Sequence, residues 1–357
     1  MKSGLQAQQD LLCNAVKQGV FPGVATAVGS NGKVQHLCAG FTAPLPESSA
    51  VDADTLYDVA SLTKPFTAVA AMILLERGIW RLDDPVSLFA PEFDVDDKRE
   101  ITLRHLLTHS SGLSAHEPLY LACHNAPEML ATIAATPLKH GIGERVVYSC
   151  LGFIVLGQLI ARVTGTPLDE TMQREIFSPL GMKNTFYPGI APDVDKAKTS
   201  PTEYCRWRNR LMWGEVHDEN AYAQGGVSGN AGIFSTARDM SRFAAMILNR
   251  GRLDDRSILS AASIELMGLD HTSGLNEGRG LGWQKKTSRL SWFGDLAANT
   301  SYGHTGFTGT SLWISPDQGA FTVILSNRVY PTRDNNQHIR FRAVFNNVSL
   351  AGSLDTL

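Results

Sequence analysis

Ser61 and Lys64 have the types and the spacing needed for nucleophilic catalysis. They stand three positions apart in DVASLTKPFTAVAA, at the predicted start of a helix over 62–77, where positions i and i+3 share one face. A lysine there opposes the helix dipole, and a capping serine is normally followed by Glu or Gln at that position. We therefore predict that the Lys64 amine handles the proton of the Ser61 hydroxyl.

The same position leads to an expectation about the pKa of Lys64. A lysine amine that is desolvated at a helix N-terminus loses basicity and can act as a general base near neutral pH. The backbone N–H groups of that helix end can also stabilise an oxyanion. A Ser-x-x-Lys string is common by chance, so the hypothesis needs partner residues.

Two later segments supply such partners. Tyr148 lies in VVYSCLGFIVLG, just ahead of an apolar helix, and YGHTGFTG places His304 on a predicted edge strand. Alone, Tyr148 would be taken for a half-buried aromatic residue and His304 for a solvent-facing strand residue. Their order along the chain favours catalysis for Tyr148 and leaves the role of His304 open.

Together the motifs resemble those of the serine β-lactamase and penicillin-binding-protein superfamily. Within that superfamily they are most similar to the motifs of class C β-lactamases and of related esterases and D-alanyl-D-alanine peptidases. The resemblance extends from about residue 10 to about residue 345 and includes LRHLLTHSSGL and NAYAQGGVSGNAGIFSTARDMSRF. It implies a serine hydrolase with the β-lactamase/transpeptidase-like fold, no metal and no cofactor.

The resemblance also implies roles for individual residues. Ser61 would be the acylated nucleophile, and Lys64 and Tyr148 would share proton transfer, with the choice of general base left open. The backbone N–H groups of Ser61 and Phe307 would form the oxyanion hole. Further residues would bind the substrate: Cys150, His304, Thr305, Gly306 and Phe307.

Cys150 departs from the family pattern. The motif that begins with Tyr148 usually ends in Asn or Asp, and here a thiol stands in that place. An amide or carboxylate can hold the lysine and bind a substrate carbonyl, which a thiol does poorly. We therefore expect hydrolysis of small esters, with D-alanyl peptidase or weak β-lactamase activity as further options.

Two other classes of function stay open. A non-catalytic protein of the same fold could hold a cell-wall fragment or an acyl ligand, and Cys150 motivates that hypothesis. A cysteine-dependent transferase could instead use Cys150 together with His304. Comparing Ser61→Ala with Cys150→Ala separates these hypotheses.

Three other patterns are assigned to structure or left undecided. His105 and His109 stand four apart in one predicted helix, but no Glu or third ligand accompanies them, which favours a core or helix-end role. The glycines of QGGVSG lack the ending of a phosphate loop, which predicts tight packing or a pocket wall. The segment 204–213 either contacts a carboxylate-bearing substrate or forms a surface helix.

Composition limits the class of protein. The 357 residues are 43% hydrophobic and 19% charged, and 32 basic against 35 acidic residues give a net charge of −3. These values are ordinary for a globular protein and provide no basic patch for nucleic acid. No segment reaches the roughly 18 uncharged apolar residues of a membrane span.

The cysteines and the absence of an apolar leader bear on location and partners. Five scattered cysteines argue against a disulfide framework and against a zinc site. We expect a cytoplasmic protein that acts on a small-molecule ester, amide or β-lactam, and the sequence leaves its oligomeric state open.

The elements that must position the site come from both chain ends. Patterns predict a helix over 5–18, a hairpin turning at Ser30-Asn31-Gly32, a late hairpin turning at 316–319 and a helix near 339–348. The segment between them is mostly helical in pattern. We predict an α/β (α+β) fold, with an antiparallel sheet built from both ends, flanked by helices, and a mostly helical second lobe.

The predicted domains follow from this order. Residues 1–60 and 240–357 would form an α/β sandwich domain, and 61–239 the helical domain. The active site would lie in the crevice between them.

Overall fold

The computed structural model of the protein describes residues 4–30, 32–190, 193–286 and 292–354. The α-helices in these residues are Gly4–Lys17 (α1), Thr63–Glu76 (α2), Leu103–Leu107 (α3), Ala126–Ala135 (α4), Cys150–Thr164 (α5), Leu168–Met172 (α6), Glu219–Ala223 (α7), Ala237–Leu248 (α8), Ala261–Gly268 (α9) and His338–Leu354 (α10). The strands are Gly23–Ser30 (β1), Lys33–Gly40 (β2), Tyr57–Asp58 (β3), Tyr204–Cys205 (β4), Arg210–Leu211 (β5), Phe234–Ser235 (β6), Arg252–Leu253 (β7), Arg256–Ser257 (β8), Arg279–Gly280 (β9), Trp283–Lys285 (β10), Tyr302–Thr305 (β11), Ser311–Ser315 (β12) and Ala320–Ser326 (β13).

A seven-stranded antiparallel sheet joins both ends of the chain, in the order β2-β1-β13-β12-β11-β10-β9. Strand β1 pairs with β13, so that Val24 lies opposite Ser326. Alternate residues of β1 face opposite sides: Val24 packs with α1 and α10, whereas Ala25 joins the main core with α8. The predicted fold class is confirmed. Asn31, assigned to the first turn, lies outside the described residues.

The strand that carries His304 is not the edge strand that the sequence predicted. Strand β11 pairs with β12 on one side and with β10 on the other. The pairing with β10 covers Tyr302 and Gly303 only. The chain from His304 onward therefore extends past the end of β10 into the region of the site.

Helix α2 lies at the centre of the molecule. Every residue from Thr63 to Leu74 is buried, so the helix is enclosed on all sides. It packs against α5 and α6. No single helix in the described residues is long and apolar enough to cross a membrane, although the bent pair Cys150–Thr164 and Leu168–Phe177 has sufficient combined length and apolar composition.

The segment 204–213 forms a short hairpin of β4 and β5, and not a surface helix. Its Arg208 donates hydrogen bonds of 2.6 Å to the carbonyl oxygens of Val216 and His217. These bonds attach the hairpin to a segment that lines the cleft described below.

Candidate active site

Ser61 lies in a tight turn between β3 and α2. A 3₁₀ turn over Ala60–Leu62 precedes the helix. Ala60 has a φ of +48°, in the left-handed region that residues with a side chain rarely adopt. The buried Asp58 stabilises this backbone, since its Oδ1 accepts the Ala60 N–H at 2.8 Å. This strained turn places Ser61 in the wall of a cleft.

Two threonines fix the serine turn to the segment that follows β11. The Thr308 hydroxyl donates to the carbonyl oxygen of Asp58 at 2.8 Å, and the Thr310 hydroxyl donates to that of Val59 at 2.9 Å. The Gly306 N–H donates to the Thr310 carbonyl oxygen at 2.8 Å. The residues around Gly306 are therefore held beside the nucleophile.

Lys64 reaches the serine as its spacing predicts. The ammonium donates to Ser61 Oγ at 3.0 Å, to the carbonyl oxygen of Asn230 at 2.9 Å and to Cys150 Sγ at 3.7 Å. Lys64 has no exposed surface. Such a buried cation must be fully hydrogen-bonded, and these contacts satisfy that requirement. No sequence pattern indicates Asn230, because its contact with Lys64 uses the backbone carbonyl oxygen and not the side chain.

Tyr148 completes the group. Its phenol interacts with both Lys64 and Ser61, and both interactions lower its pKa. Its ring centroid lies 5.0 Å from the Lys64 Nζ and 4.6 Å from the ring centroid of His109. The structure therefore brings Ser61, Lys64 and Tyr148 together, although Tyr148 comes from a segment far along the chain.

The protonation of this group differs from the expectation. Burial lowers the pKa of Lys64, but the interactions with Cys150 and Tyr148 in their ionised forms outweigh it, and the net direction of the Lys64 pKa is upward. Burial raises the pKa of Tyr148, and the nearby Lys64 opposes this only in part. The upward direction for Lys64 contradicts the predicted loss of basicity.

A pH dependence follows from the raised pKa values. The pair must lose a proton before it can accept one from Ser61, and a raised pKa moves that loss to higher pH. We expect kcat/KM for an ester to rise with pH from 6 to 10, about tenfold per unit where one proton is lost. The measurement is a pH series corrected for spontaneous hydrolysis. A plateau that begins below pH 8 would contradict the expectation.

His304 is buried and neutral, not a solvent-facing strand residue. Its Nδ1 donates to the Thr305 carbonyl oxygen at 2.8 Å, and its Nε2 is buried and has no partner in the described chain. Burial, with the positive charges of Lys64 and Arg279, holds the pKa of His304 well below its ordinary range. Its ring centroid lies 5.8 Å from that of Tyr148. His304 therefore packs behind the phenol and supplies no positive charge.

The remaining site residues surround a cleft of about 590 Å³. The residues of the sequence-based prediction that line it are Ser61, Tyr148, Cys150, Thr305, Gly306 and Phe307. The Arg328 Nε donates to the Phe307 carbonyl oxygen at 2.9 Å. The oxyanion role of the Phe307 N–H stays a prediction.

The two histidines assigned to one helix have separate positions. Helix α3 ends at Leu107, and His105 caps it through Thr102. His109 follows with a φ of +59°, and its Nδ1 accepts the Ser149 N–H at 3.0 Å. The predicted core or helix-end role is confirmed for both residues, since His105 caps α3 and the buried His109 packs against the Tyr148 ring.

The glycine-rich segment packs tightly, as predicted. A Cβ on Gly229 would lie 2.2 Å from the carbonyl oxygen of Phe153 and 2.9 Å from the Cα of Gly157. The Gly229 carbonyl oxygen accepts the Thr67 hydroxyl at 2.8 Å. This close approach brings the neighbouring Asn230 carbonyl to Lys64.

The fold and the comparisons with known proteins define a serine hydrolase built on the β-lactamase fold. The chain belongs to the beta-lactamase family, whose model matches residues 9–347. It is 32% identical, over 304 residues, to a putative D-alanyl-D-alanine carboxypeptidase of Escherichia coli K12, covering 77% of this chain and 69% of that protein.

Solved structures share the fold. EstCE1, a hydrolase with promiscuous acyltransferase activity, has a TM-score of 0.80 at 21% identity and covers 97% of this chain and 98% of its own. Unliganded simvastatin synthase from Aspergillus terreus has a TM-score of 0.78 at 21% identity, with 98% and 99% covered. A class C beta-lactamase mutant has a TM-score of 0.78 at 20% identity, with 99% and 97% covered. The predicted superfamily is confirmed.

Proposed function

We propose that the protein hydrolyses small carboxylic esters through an acyl-enzyme on Ser61. The observation that carries this proposal is the hydrogen bond from Lys64 to Ser61, with the Tyr148 ring beside the ammonium, at the wall of an open cleft. A hydroxyl, an amine and a phenol in contact can move one proton among them without reorganisation of solvent.

Acylation uses this group directly. The Lys64–Tyr148 pair, after losing a proton, accepts the Ser61 proton while Oγ bonds to the ester carbonyl carbon. The backbone N–H groups of Ser61 and Phe307 stabilise the resulting oxyanion. The pair then gives its proton to the leaving alkoxide, and the C–O bond of the ester breaks. Water later releases the acyl group and restores Ser61.

The environment of the pair supports an ester rather than an amide substrate. Cys150 Sγ contacts the Lys64 ammonium at the position where the family resemblance implies Asn or Asp, and a thiol is a weak partner for an amide. His304 is neutral and adds no charge near the leaving group. An ester carbonyl is less stabilised by resonance than an amide carbonyl, and an alkoxide leaves more readily than an amide anion, so ester hydrolysis has the lower barrier.

D-alanyl carboxypeptidase activity is a second candidate, favoured by two observations. Relatives at 31–32% identity bear that name. The cleft is also lined by the guanidinium-bearing residues Arg328, Arg333 and Arg342. An arginine can bind a terminal carboxylate through two parallel hydrogen bonds. The site contacts give no support to the non-catalytic alternative.

Intact-mass analysis tests the proposal. The protein is mixed with p-nitrophenyl acetate, with a D-Ala-D-Ala peptide mimic and with a penicillin, and the adducts are followed in time. We expect a rapidly formed and rapidly lost acetyl adduct on Ser61, and slower acylation by the other two compounds. Faster turnover of the peptide mimic than of the ester would favour the second candidate.

Two variants locate the nucleophile. Ser61→Ala is expected to lose about 10⁴-fold or more in kcat and to form no adduct. Cys150→Ala is the matched control, because its thiol also contacts Lys64 and lines the cleft. We expect it to retain activity within about tenfold. Loss of activity in Cys150→Ala alone would instead establish the thiol route.

A further inference from the structure

A second cation lies beside the Tyr148 ring, on a strand that the proposed acylation does not use. The Arg279 guanidinium carbon lies 5.5 Å from the ring centroid, and the Lys64 Nζ lies 5.0 Å from the same centroid. The Arg279 side chain is only 6% exposed. Its Nη2 lies 2.9 Å from Glu277 Oε1, whereas its Nε is buried without a partner in the described residues. Because burying a charge costs free energy, a buried cation beside this phenol is a candidate for a functional role.

The segment that carries Arg279 is fixed to the segment that carries Tyr148. The Asn276 side chain accepts the Val146 N–H at 2.8 Å and donates to the Val146 carbonyl oxygen at 3.1 Å. The Arg279 N–H donates to Thr272 Oγ1 at 2.8 Å. These contacts use the main chain and Asn276, so replacing the Arg279 side chain should leave the two segments joined.

The charges around the Tyr148 ring come from five parts of the chain. The titratable or charged residues next to the ring are Lys64 of α2, His109 after α3, Cys150 of α5, Arg279 of β9 and His304 of β11. Burial holds the pKa of both histidines well below its ordinary range, and the positive charges of Lys64 and Arg279 add to this effect. Of these five residues, only Lys64 and Arg279 can therefore place a positive charge beside the phenol at neutral pH.

A cation in this position makes it easier for the Lys64–Tyr148 pair to lose a proton. A phenolate spreads its negative charge over the oxygen and the ring, so a cation within about 6 Å of the ring centroid stabilises it more than it stabilises the neutral phenol. Arg279 also disfavours a positive charge on Lys64, since both cations lie near the same ring. Both effects favour the state that can accept the Ser61 proton.

We propose that Arg279 is a positioning residue that stabilises the deprotonated form of Tyr148, an inference that rests on the proposed acyl-enzyme. The phenol proton first passes to solvent. The phenolate oxygen then takes the Ser61 proton while Oγ bonds to the ester carbonyl carbon, and it gives that proton to the leaving alkoxide as the ester C–O bond breaks. Arg279 keeps its own protons and does not line the cleft, so it acts through Tyr148 and not on the substrate.

Two variants that remove the same ion pair have opposite expected effects. Arg279→Met removes the cation and keeps most of the stem, and it should lower kcat/KM for p-nitrophenyl acetate at neutral pH by about tenfold or more. Glu277→Gln can keep the hydrogen bond with Arg279 but removes the carboxylate charge that offsets the guanidinium. Its kcat/KM should stay equal or rise by up to about threefold. A merely structural role of the ion pair would make both variants lose activity.

Arg279→Lys is the conservative variant, since it keeps a cation on a long stem. It should retain kcat/KM within about threefold of the unchanged protein.

The direct readout is the amount of Tyr148 phenolate formed as the pH is raised to about 10, near the ordinary tyrosine pKa. It is measured by ultraviolet difference absorbance against the same protein with Tyr148→Phe. Loss of the cation should raise the pKa of Tyr148, so Arg279→Met should form less phenolate than the unchanged protein, and Glu277→Gln more. A merely structural role would not change these amounts in opposite directions.

Unchanged kcat/KM in Arg279→Met, or equal losses in Arg279→Met and Glu277→Gln, would overturn the inference. If Arg279→Met fails to fold, the phenolate comparison decides, and no increase in Glu277→Gln overturns it. A protein that forms no acetyl adduct on Ser61 would instead refute the acyl-enzyme. The phenolate comparison needs no substrate and would still test the effect of Arg279 on Tyr148.

Discussion

Replacing Lys64 with methionine is expected to lower kcat/KM for ester hydrolysis by about 10³–10⁴-fold, and Tyr148→Phe by about 10²–10³-fold. Lys64 donates a hydrogen bond to Ser61 Oγ, and the Tyr148 phenol interacts with both residues. Because the two groups move one proton as a unit, kcat/KM of the double variant should lie within about threefold of that of Lys64→Met. Steady-state kinetics of the three variants give the comparison.

Methionine is chosen because it fills the buried space of the lysine stem without its charge. Lys64→Met leaves the Asn230 carbonyl oxygen without its donor, so thermal unfolding must be measured beside the kinetics. The matched control is Lys285→Met, a lysine outside the cleft that also donates to a backbone carbonyl, that of Gly268. Multiplicative losses in the double variant would show that Lys64 and Tyr148 act independently.

The part of the site that the sequence could predict is the part that local geometry determines. Ser61 and Lys64 meet because a helix start places positions i and i+3 on one face. Spacing alone could not predict Tyr148, since α5 must pack on α2 to bring this residue to Ser61 and Lys64. Its prediction depended on the order of several motifs along the chain.

The sign of the Lys64 pKa shift could not be predicted in the same way. Burial was foreseeable, but the opposing effects of Cys150 and Tyr148 depend on how closely the three groups pack. The burial of His304 could not be predicted either, because it too depends on packing between distant segments. Its burial follows from its pairing with Leu312 of β12 and from its contact with Tyr148, neither of which appears in the pattern of YGHTGFTG.

Arg279 carried no signal of its own in the sequence. It lies in the short strand β9, and Asn276, which binds Val146, lies in the loop ahead of that strand. Only the folded chain shows that this segment packs beside Tyr148. Loop residues held by long-range hydrogen bonds are therefore the least accessible to sequence patterns.

Gly306→Ala is expected to lower kcat/KM by about 100-fold and the free energy of unfolding by about 1–3 kcal/mol. A Cβ at this position would lie 2.0 Å from Thr310 Oγ1 and 2.5 Å from the Val59 carbonyl oxygen. These two atoms are hydrogen-bonded to each other at 2.9 Å, so the methyl group must break a bond that fixes the serine turn. Ester kinetics and urea unfolding measure the two effects.

Gly152→Ala is the matched control for this change. Gly152 lies in α5, where an added Cβ would meet Leu106 Cδ2 at 3.5 Å, an ordinary van der Waals contact. Alanine also favours the helix, so stability should stay equal or rise by up to about 1 kcal/mol, with unchanged kinetics. If Gly306→Ala keeps kcat/KM within threefold of the unchanged protein, the Thr310–Val59 bond does not position the nucleophile. A loss of stability without a loss of activity would restrict that bond to a role in folding.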